Sequence, residues 1–466
     1  MAEQTVAATP AKTASQRLTR TEKIGFGLGD LACNLSWQLA GGFLLYFYTN
    51  VALISAATAG TLMLVARIVD AVADPVFGAL VDRTRSRHGK ARPYLLYGAV
   101  PFGLLSVLTF TSPDLSPDGK VIYAAVTFLA MGIVFSAVNI PYAALMPLIT
   151  RDGTERMQLG TARAIGMSVG TIAVAVFTPH LVSAFGGGSE ERGYLITATL
   201  LGVASTVFLL VTFRTVTEHQ QDVPALRKAT GPRVGLLAGV RQMFQNGPWV
   251  VAALYMIVNF VRLGLLTTVT VYFCLYVLRE PWAISVLLPL ISGSLLVGSL
   301  AAPRFFARFG KRRGNQLALG AGALLFALLP LTESVLPLFI GVYVGACLVI
   351  SISMTSSFTL TSDAVDYHEW KFGDRATGLL HAAQSLTTKA GTAVGSAVVA
   401  WVLAATGFDP HHVGSATVTG LRWLYYGAPV ALLLLQLLVM SYWRMDEQQE
   451  QILKDLGERR DAADDS

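Results

Sequence analysis

Charge is scarce in this chain. Of 466 residues only 14% are Asp, Glu, Lys or Arg, against 53% hydrophobic, and the mean hydropathy is +0.55. That balance excludes an ordinary soluble domain, in which about a quarter of residues are charged. Cysteine is nearly absent: Cys33, Cys274 and Cys347 stand alone in apolar stretches, without CxxC or Cys/His spacing, which excludes a disulfide framework and a zinc site. No GxxxxGK[ST] loop occurs, so the phosphate cradle that nucleotide-driven pumping needs is missing. Residues 1–23 lack the charged, then apolar, then small-residue order of a cleaved signal, and are read as a cytoplasmic tail.

Apolar runs are what the chain has in excess. Stretches of about 20 residues, enough to cross a ~30 Å hydrocarbon core, recur at 24–50, 57–82, 93–112, 120–149, 157–186, 193–215, 248–278, 283–308, 314–332, 336–365, 377–407 and 419–442. About twelve membrane spans are therefore expected in an all-α protein. Basic residues gather in alternate loops: Arg83, Arg85, Arg87, Lys90 and Arg92; Arg151 and Arg156; Arg227, Lys228, Arg233 and Arg241; Arg308, Lys311, Arg312 and Arg313. The loops between carry Asp114, Asp118, Glu190, Glu191, Glu333 and Asp409 instead. Positive charge marks the cytoplasmic side, so both termini are expected there. The net charge of +6 is thereby read as orientation, not as a nucleic-acid surface.

The longest polar interruption, 217–247, falls near the middle. Gly89-Lys90-Ala91-Arg92 after the second span is echoed by Gly310-Lys311-Arg312-Arg313 after the eighth. The expected organisation is a six-helix bundle at 24–216, a cytoplasmic loop at 217–247, a second six-helix bundle at 248–442 and a cytoplasmic tail at 443–466. Such parallel repeats suit a carrier that rocks around a midplane site. Glycines such as Gly25, Gly27, Gly293, Gly298, Gly391 and Gly395 lie inside spans, where small residues let helix backbones approach.

The second span holds charge it should not have. Asp70 and Asp74 lie one turn apart on one face, and Arg67 precedes them by a turn. A charge at mid-bilayer costs about 3 kcal/mol on insertion scales, so such groups face a bundle interior or water and carry function. Two adjacent carboxylates repel unless a cation lies between them, so the pair reads as a binding place for a proton or a metal ion. Lys389 is the isolated cation of the eleventh span and supplies a counter-charge that a coupling ion would release; Arg67 is the second coupling candidate. Ser136 offers the pair a further oxygen. Arg163, Arg262, Asn139 and Asn34 are polar intrusions able to hydrogen-bond a polar ligand, and Trp37 and Tyr142 offer aromatic surface for a sugar. The hydroxyl run Ser351, Ser353, Thr355, Ser356, Ser357 and Thr359 is read as bonding its own helix.

RIVDAVADPVFGALVDRTRSRHGKARPYLLYG from Arg67 to Gly98, with GFGLGD at Gly25–Asp30, YFYTN at Tyr46–Asn50, NIPYAALMP at Asn139–Pro147 and DAVDYHEWKFGDRATG at Asp363–Gly378, resembles the glycoside–pentoside–hexuronide:cation symporters, the melibiose-carrier family of the major facilitator superfamily. The resemblance implies the major facilitator fold in a bacterial inner membrane, with a sugar and a monovalent cation as partners and no cofactor. It implies that Asp70 and Asp74 hold the coupling ion, H+ or Na+, that Lys389 links ion and sugar sites, and that Arg163 lies near the sugar. This chain departs from the family pattern at Asn139, where the melibiose carrier has an aspartate, at Ala143, where it has a tryptophan, and at Ala73, where it has an asparagine. Melibiose itself is thus not expected, and one fewer oxygen at the ion site tilts it toward protons. A monomer without nucleic-acid partners is expected. Two other readings compete: a lysolipid carrier of the same superfamily, and an intramembrane aspartyl protease on the strength of the GxGD match at Gly27–Asp30.

Overall fold

The computed structural model of the chain describes residues 18–150, 153–218, 236–373 and 377–464. Arg151, Arg227, Lys228, Arg233 and the Asp374–Ala376 portion of the last family motif lie outside the described residues.

Helix α1 (Arg20–Tyr46) starts four residues before its apolar run because Thr19 and Glu22 form a capping box, each side chain bonding the other's backbone N–H. There follow α2 (Ala56–Arg83), α3 (Arg92–Thr109), α4 (Pro117–Ile149), α5 (Gly153–Gly186) and α6 (Glu190–Thr215). A short α7 (Leu236–Gln245) leads into α8 (Gly247–Tyr272), α9 (Ile284–Phe309), α10 (Lys311–Thr332), α11 (Leu336–Phe372) and α12 (Thr377–Ala405). Helices α13 (Ser415–Arg422) and α14 (Ala428–Ser441) are joined by a π-helical turn, Trp423–Gly427, into one rod, and α15 (Met445–Asp464) ends the described chain. No strand occurs among the described residues. Each expected apolar run is thus a helix. By length and hydropathy eight described helices qualify as membrane spans, and nine when α9, bent by 40°, is included; α1, α2 and α3 fall short of that test.

The packing repeats. In the first set α1 lies on α5 and α6, α3 on α4 and α6, and α2 on α4; in the second α8 lies on α12 and α14, α10 on α11 and α14, and α9 on α11. Across the sets α2 meets α12 and α5 meets α9, the same pairing with roles exchanged, and α1 meets α8. Close approach explains the glycines: a Cβ at Gly27 would lie 2.7 Å from the carbonyl oxygen of Ala162 in α5, and one at Gly395 2.1 Å from that of Val261 in α8. Gly293 is an exception, with open space around it.

The GKAR and GKRR echoes are also structural. At the start of α3 the Glu218 carboxylate accepts from the backbone N–H of Lys90, Ala91 and Arg92 at 2.8–3.0 Å, and Arg92 Nη2 donates to the Phe213 carbonyl at 2.6 Å. At the start of α10 Asp446 accepts from the Arg312 N–H at 2.8 Å, and Arg312 Nη2 donates to the Ser441 carbonyl at 2.6 Å. A helix N-terminus carries unsatisfied N–H groups and positive potential, so a carboxylate just past the last helix of the same six-helix set ties its third helix to its last.

A second repeat went unread in the sequence. Tyr46-Phe47 and Tyr272-Phe273 each open a π-helical turn, Phe47–Val51 and Phe273–Leu278. Each turn closes on a left-handed residue, Leu53 at φ 59° and Arg279 at φ 57°, the two positive-φ non-glycines among the described residues. The matching bonds Ile54 N–H to Tyr48 O and Glu280 N–H to Cys274 O, 2.8 and 3.0 Å, seal both turns.

The C-terminal segment, expected as a tail, carries helix α15, which docks on α11. Ile452 and Leu456 of α15 are buried, Trp370 Nε1 donates to Asp455 at 2.9 Å, and Gln449 bridges Lys311 and Asp363. Its polarity left no apolar run to find, only an i, i+4 pair.

Candidate functional site

Three helices build the charged cluster. Helix α2 presents Asp70 and Asp74 one turn apart, and α4, packed along it, brings Ser136, whose Oγ lies 2.5 Å from Asp70 Oδ1 and 2.7 Å from Asp74 Oδ1. From the other set α12 brings Lys389, whose Nζ is 3.1 Å from Asp70 Oδ2 and also pairs with Asp74 Oδ2. Asp70 is 1% exposed. The cluster of two acids and one lysine has a deficit of one positive charge, the amount a single monovalent cation supplies. Asp70 Oδ2, though within ion-pair range of Lys389, accepts no hydrogen bond, so a buried carboxylate oxygen retains capacity for a further ligand. A hydroxyl has one hydrogen, so the two carboxylates share Ser136 between them. No group of three or more His, Cys, Asp or Glu with metal-binding geometry occurs among the described residues.

Arg67 does not join the acids in an ion pair. Its guanidinium lies over the Trp37 ring, 4.0 Å from the centroid, and the opposite face of Trp37 stacks on Phe135 at 3.9 Å with 5° between planes. Sharing a helix face placed Arg67 on the right side, but an aromatic ring of α1 lies closer to it. Both faces of Trp37 are thereby covered, and the expected sugar platform is reduced to its edge.

That edge borders a cavity of about 270 Å³ between the two sets. Gln38, Arg67 and Thr171 line it from the first set; Thr267, Ser292, Thr388, Lys389, Thr392 and Ser396 line it from the second, with Phe260 and Leu263 as apolar wall. Lys389 therefore belongs to both the acid cluster and the cavity. A polar chain leads away from it: Gln38 Nε2 donates to Thr171 Oγ1 and Asn34 Oδ1, Asn34 Nδ2 to Asp30, and Arg163 Nε to Asp30 at 3.0 Å. Asn34 and Arg163 reach the cavity through this chain and not by lining it.

The remaining substrate candidates lie elsewhere. Tyr142 is buried, donating to the Phe26 carbonyl at 2.6 Å and stacking on that ring. Asn139, half-buried on α4, is not part of the cavity wall. Arg262 is buried on a face of α8 turned toward a separate small cavity. The hydroxyl run on α11 mostly bonds its own helix, as Ser351 to Leu348, Thr355 to Ser351 and Thr359 to Ser356 show. The cavity residues missed were Gln38, Thr171, Thr267, Ser292, Thr388, Thr392 and Ser396; Thr388, Thr392 and Ser396 at steps of four beside Lys389 were a readable stripe.

A buried acid pair, bridged by a lysine to a polar cavity between two repeated sets of membrane helices, defines an ion-coupled membrane transporter and not an enzyme. The chain belongs to the MFS/sugar transport protein family, whose model matches residues 25–447, and the resemblance to glycoside–pentoside–hexuronide:cation symporters is borne out. It is 35% identical to the putative glycoside/cation symporter YagG of Escherichia coli (strain K12), over 96% of each chain. It is 31% identical to an isoprimeverose transporter of Lactiplantibacillus pentosus, covering 94% of this chain and 91% of that one. Among solved structures, a bacterial homolog of the human lysosomal transporter Spinster superposes with TM-score 0.69 at 14% identity, covering 93% of this chain and 97% of that one. A D-xylose-proton symporter superposes with TM-score 0.62 at 16% identity, covering 89% and 96%. These last two establish the fold. The protease reading falls with the family assignment, and Asp30 of the GxGD match is occupied by Arg163 and Asn34.

Proposed function

We propose that this protein is a secondary symporter that couples entry of a sugar or glycoside to a monovalent cation by alternating access. The observation that carries the reading is Lys389, which pairs with both Asp70 and Asp74 and at the same time lines the cavity. A cation arriving at the acids competes with the ammonium; Lys389 is then freed toward the cavity, where a sugar hydroxyl can accept from it. Ion and sugar thus stabilise the same arrangement. The names carried by the relatives, glycoside/cation symporter and isoprimeverose transporter, favour a sugar over a lysolipid.

Two observations favour the proton. Ala73 removes an oxygen from the acid pair, and Ser136 satisfies both carboxylates when one is protonated. The substrate is placed in the 270 Å³ cavity, with Gln38, Thr171 and Ser396 as hydroxyl partners and Trp37 as an apolar edge. All twelve helical rods are assigned as spans of a bacterial inner membrane. The ends of α2, α6 and α9 and both termini are assigned to the cytoplasm on the strength of their basic loops, with the monomer as the working unit and 24–216 and 248–442 as the rocking halves.

The test is sugar uptake into proteoliposomes under an imposed pH or sodium gradient, across glycosides, pentoses and hexuronides. Sugar-dependent proton entry that is lost in Asp70→Asn and in Asp74→Asn is the expected result. Uptake equally fast without any cation gradient, or acceleration by sodium alone, overturns respectively the coupling and the choice of ion.

A further inference from the structure

Arg262 is a membrane-buried charge that the transport site does not use. It is 6% exposed, on α8. Its Nη2 donates to Asn259 Oδ1 at 2.6 Å, while its Nε and the Nδ2 of Asn259 find no acceptor. No described carboxylate lies within ion-pair distance of it. Among the described residues of 247–405 the acids are Glu280, Glu333, Asp363, Asp366 and Glu369, and none of them lines the cavity that Arg262 borders. Asp363 on the neighbouring α11 is engaged by Lys311 and Gln449 and lies roughly 13 Å past Met354 at ~1.5 Å of rise per residue.

An uncompensated guanidinium in a low-dielectric interior is expensive, and such charges are paired with an anion or with water. The guanidinium borders a cavity of about 30 Å³ enclosed by α8, α9, α10 and α11, with Ser294 and Ser351 on its wall and Leu266, Phe326, Ile350 and Met354 closing it. One or two waters fill such a space, but a water brings no charge. A sugar or a carboxylate-bearing metabolite is too large for it. A monatomic anion fits, and it meets what the site offers: a fixed positive charge and serine hydroxyls free to turn from their own-helix carbonyls Ile291 and Leu348.

We propose that the second helix set carries a resident halide site, with chloride held by Arg262 and the Ser294 and Ser351 hydroxyls. The anion neutralises Arg262 and cements the α8–α9–α11 contact, apart from the acid pair that takes the coupling cation. Because Leu263 lines both cavities, the site lies immediately behind the wall of the sugar cavity and sets the rigidity of that wall.

The test uses the full chain in detergent, melted in sodium gluconate and in sodium chloride at equal ionic strength, with sodium constant so that the acid cluster is not titrated. A saturable rise of about 2–4 °C with chloride, reproduced by bromide, is expected for binding at a folded-state site. Arg262→Met loses that rise, and Arg262→Lys retains part of it. A wild-type melting point indifferent to chloride assigns the cavity to water and overturns the proposal, as does a chloride response that persists in Arg262→Met. Should Arg262→Met not fold, bromide anomalous scattering from wild-type crystals decides: a peak between Arg262 and Ser351 supports the site, and its absence overturns it.

Discussion

The residue on which most depends is Lys389, because its ammonium pairs with both carboxylates. Removing one partner of a buried ion pair leaves the other uncompensated, at a cost of about 3–5 kcal/mol. Lys389→Gln is therefore expected to lower the melting temperature markedly, and Asp74→Asn added to it to restore much of the loss; a double-mutant thermal cycle checks this. Ser136→Ala removes a shared hydroxyl, and a loss of about 1–3 kcal/mol is expected where a buried acceptor is left unpaired. Much of this cluster was legible, since Asp70, Asp74 and Lys389 stand out in apolar runs where charge is costly. For Arg67 a shared helix face gives direction but not the nearest neighbour, and Trp37 on α1 is that neighbour. Gln38 and Thr171 escaped notice because amides and hydroxyls are common in membrane helices, where most bond their own backbone.

At the scale of the element, hydropathy located the helices and missed how their ends are made. The two halves fasten their third helix by one device, and a glycine adjoins the carboxylate in each: Gly89 at φ 103° beside Glu218, Gly310 at φ 71° beside Asp446. A Cβ at Gly89 would fall 2.4–2.5 Å from the Glu218 carboxylate. Gly89→Ala thus combines a conformation costing about 1–2 kcal/mol for an L-residue with displacement of the cap. Gly310→Ala, where the nearest atom is 3.3 Å away, is expected to cost the conformational part alone. Thermal melts of the two variants, the first clearly lower, check the difference. The short GKAR and GKRR echo carried this information in the sequence. The π-helical turns did not announce themselves, because their signal is the spacing from Tyr-Phe to a left-handed residue, and Leu53 and Arg279 share no side-chain chemistry.

Across the whole molecule, the two sets are joined at mid-span by Lys389 and by hydrogen bonds at the end where those turns meet. Thr49 and Tyr272 share a hydrogen bond of 2.7 Å, Asn50 donates to Tyr276, and Ser285 donates to the Val176 carbonyl at 3.1 Å. On the proposed orientation this is the outer end, so the sets are latched outside and joined at the centre by Lys389. Alternating access then requires the latch to break while the acids exchange lysine for a cation. Tyr272→Phe removes one latch bond, worth about 1 kcal/mol net, which shifts the ratio of open to closed outer ends by roughly fivefold. The three native cysteines are buried, so a Ser396→Cys probe in the cavity wall reports opening with little background. A membrane-impermeant thiol reagent added outside is expected to label it several-fold faster in the Tyr272→Phe background. Equal labelling rates would place the barrier to outer access elsewhere, in the aromatic packing of Tyr46, Tyr194 and Phe408 around the same turns.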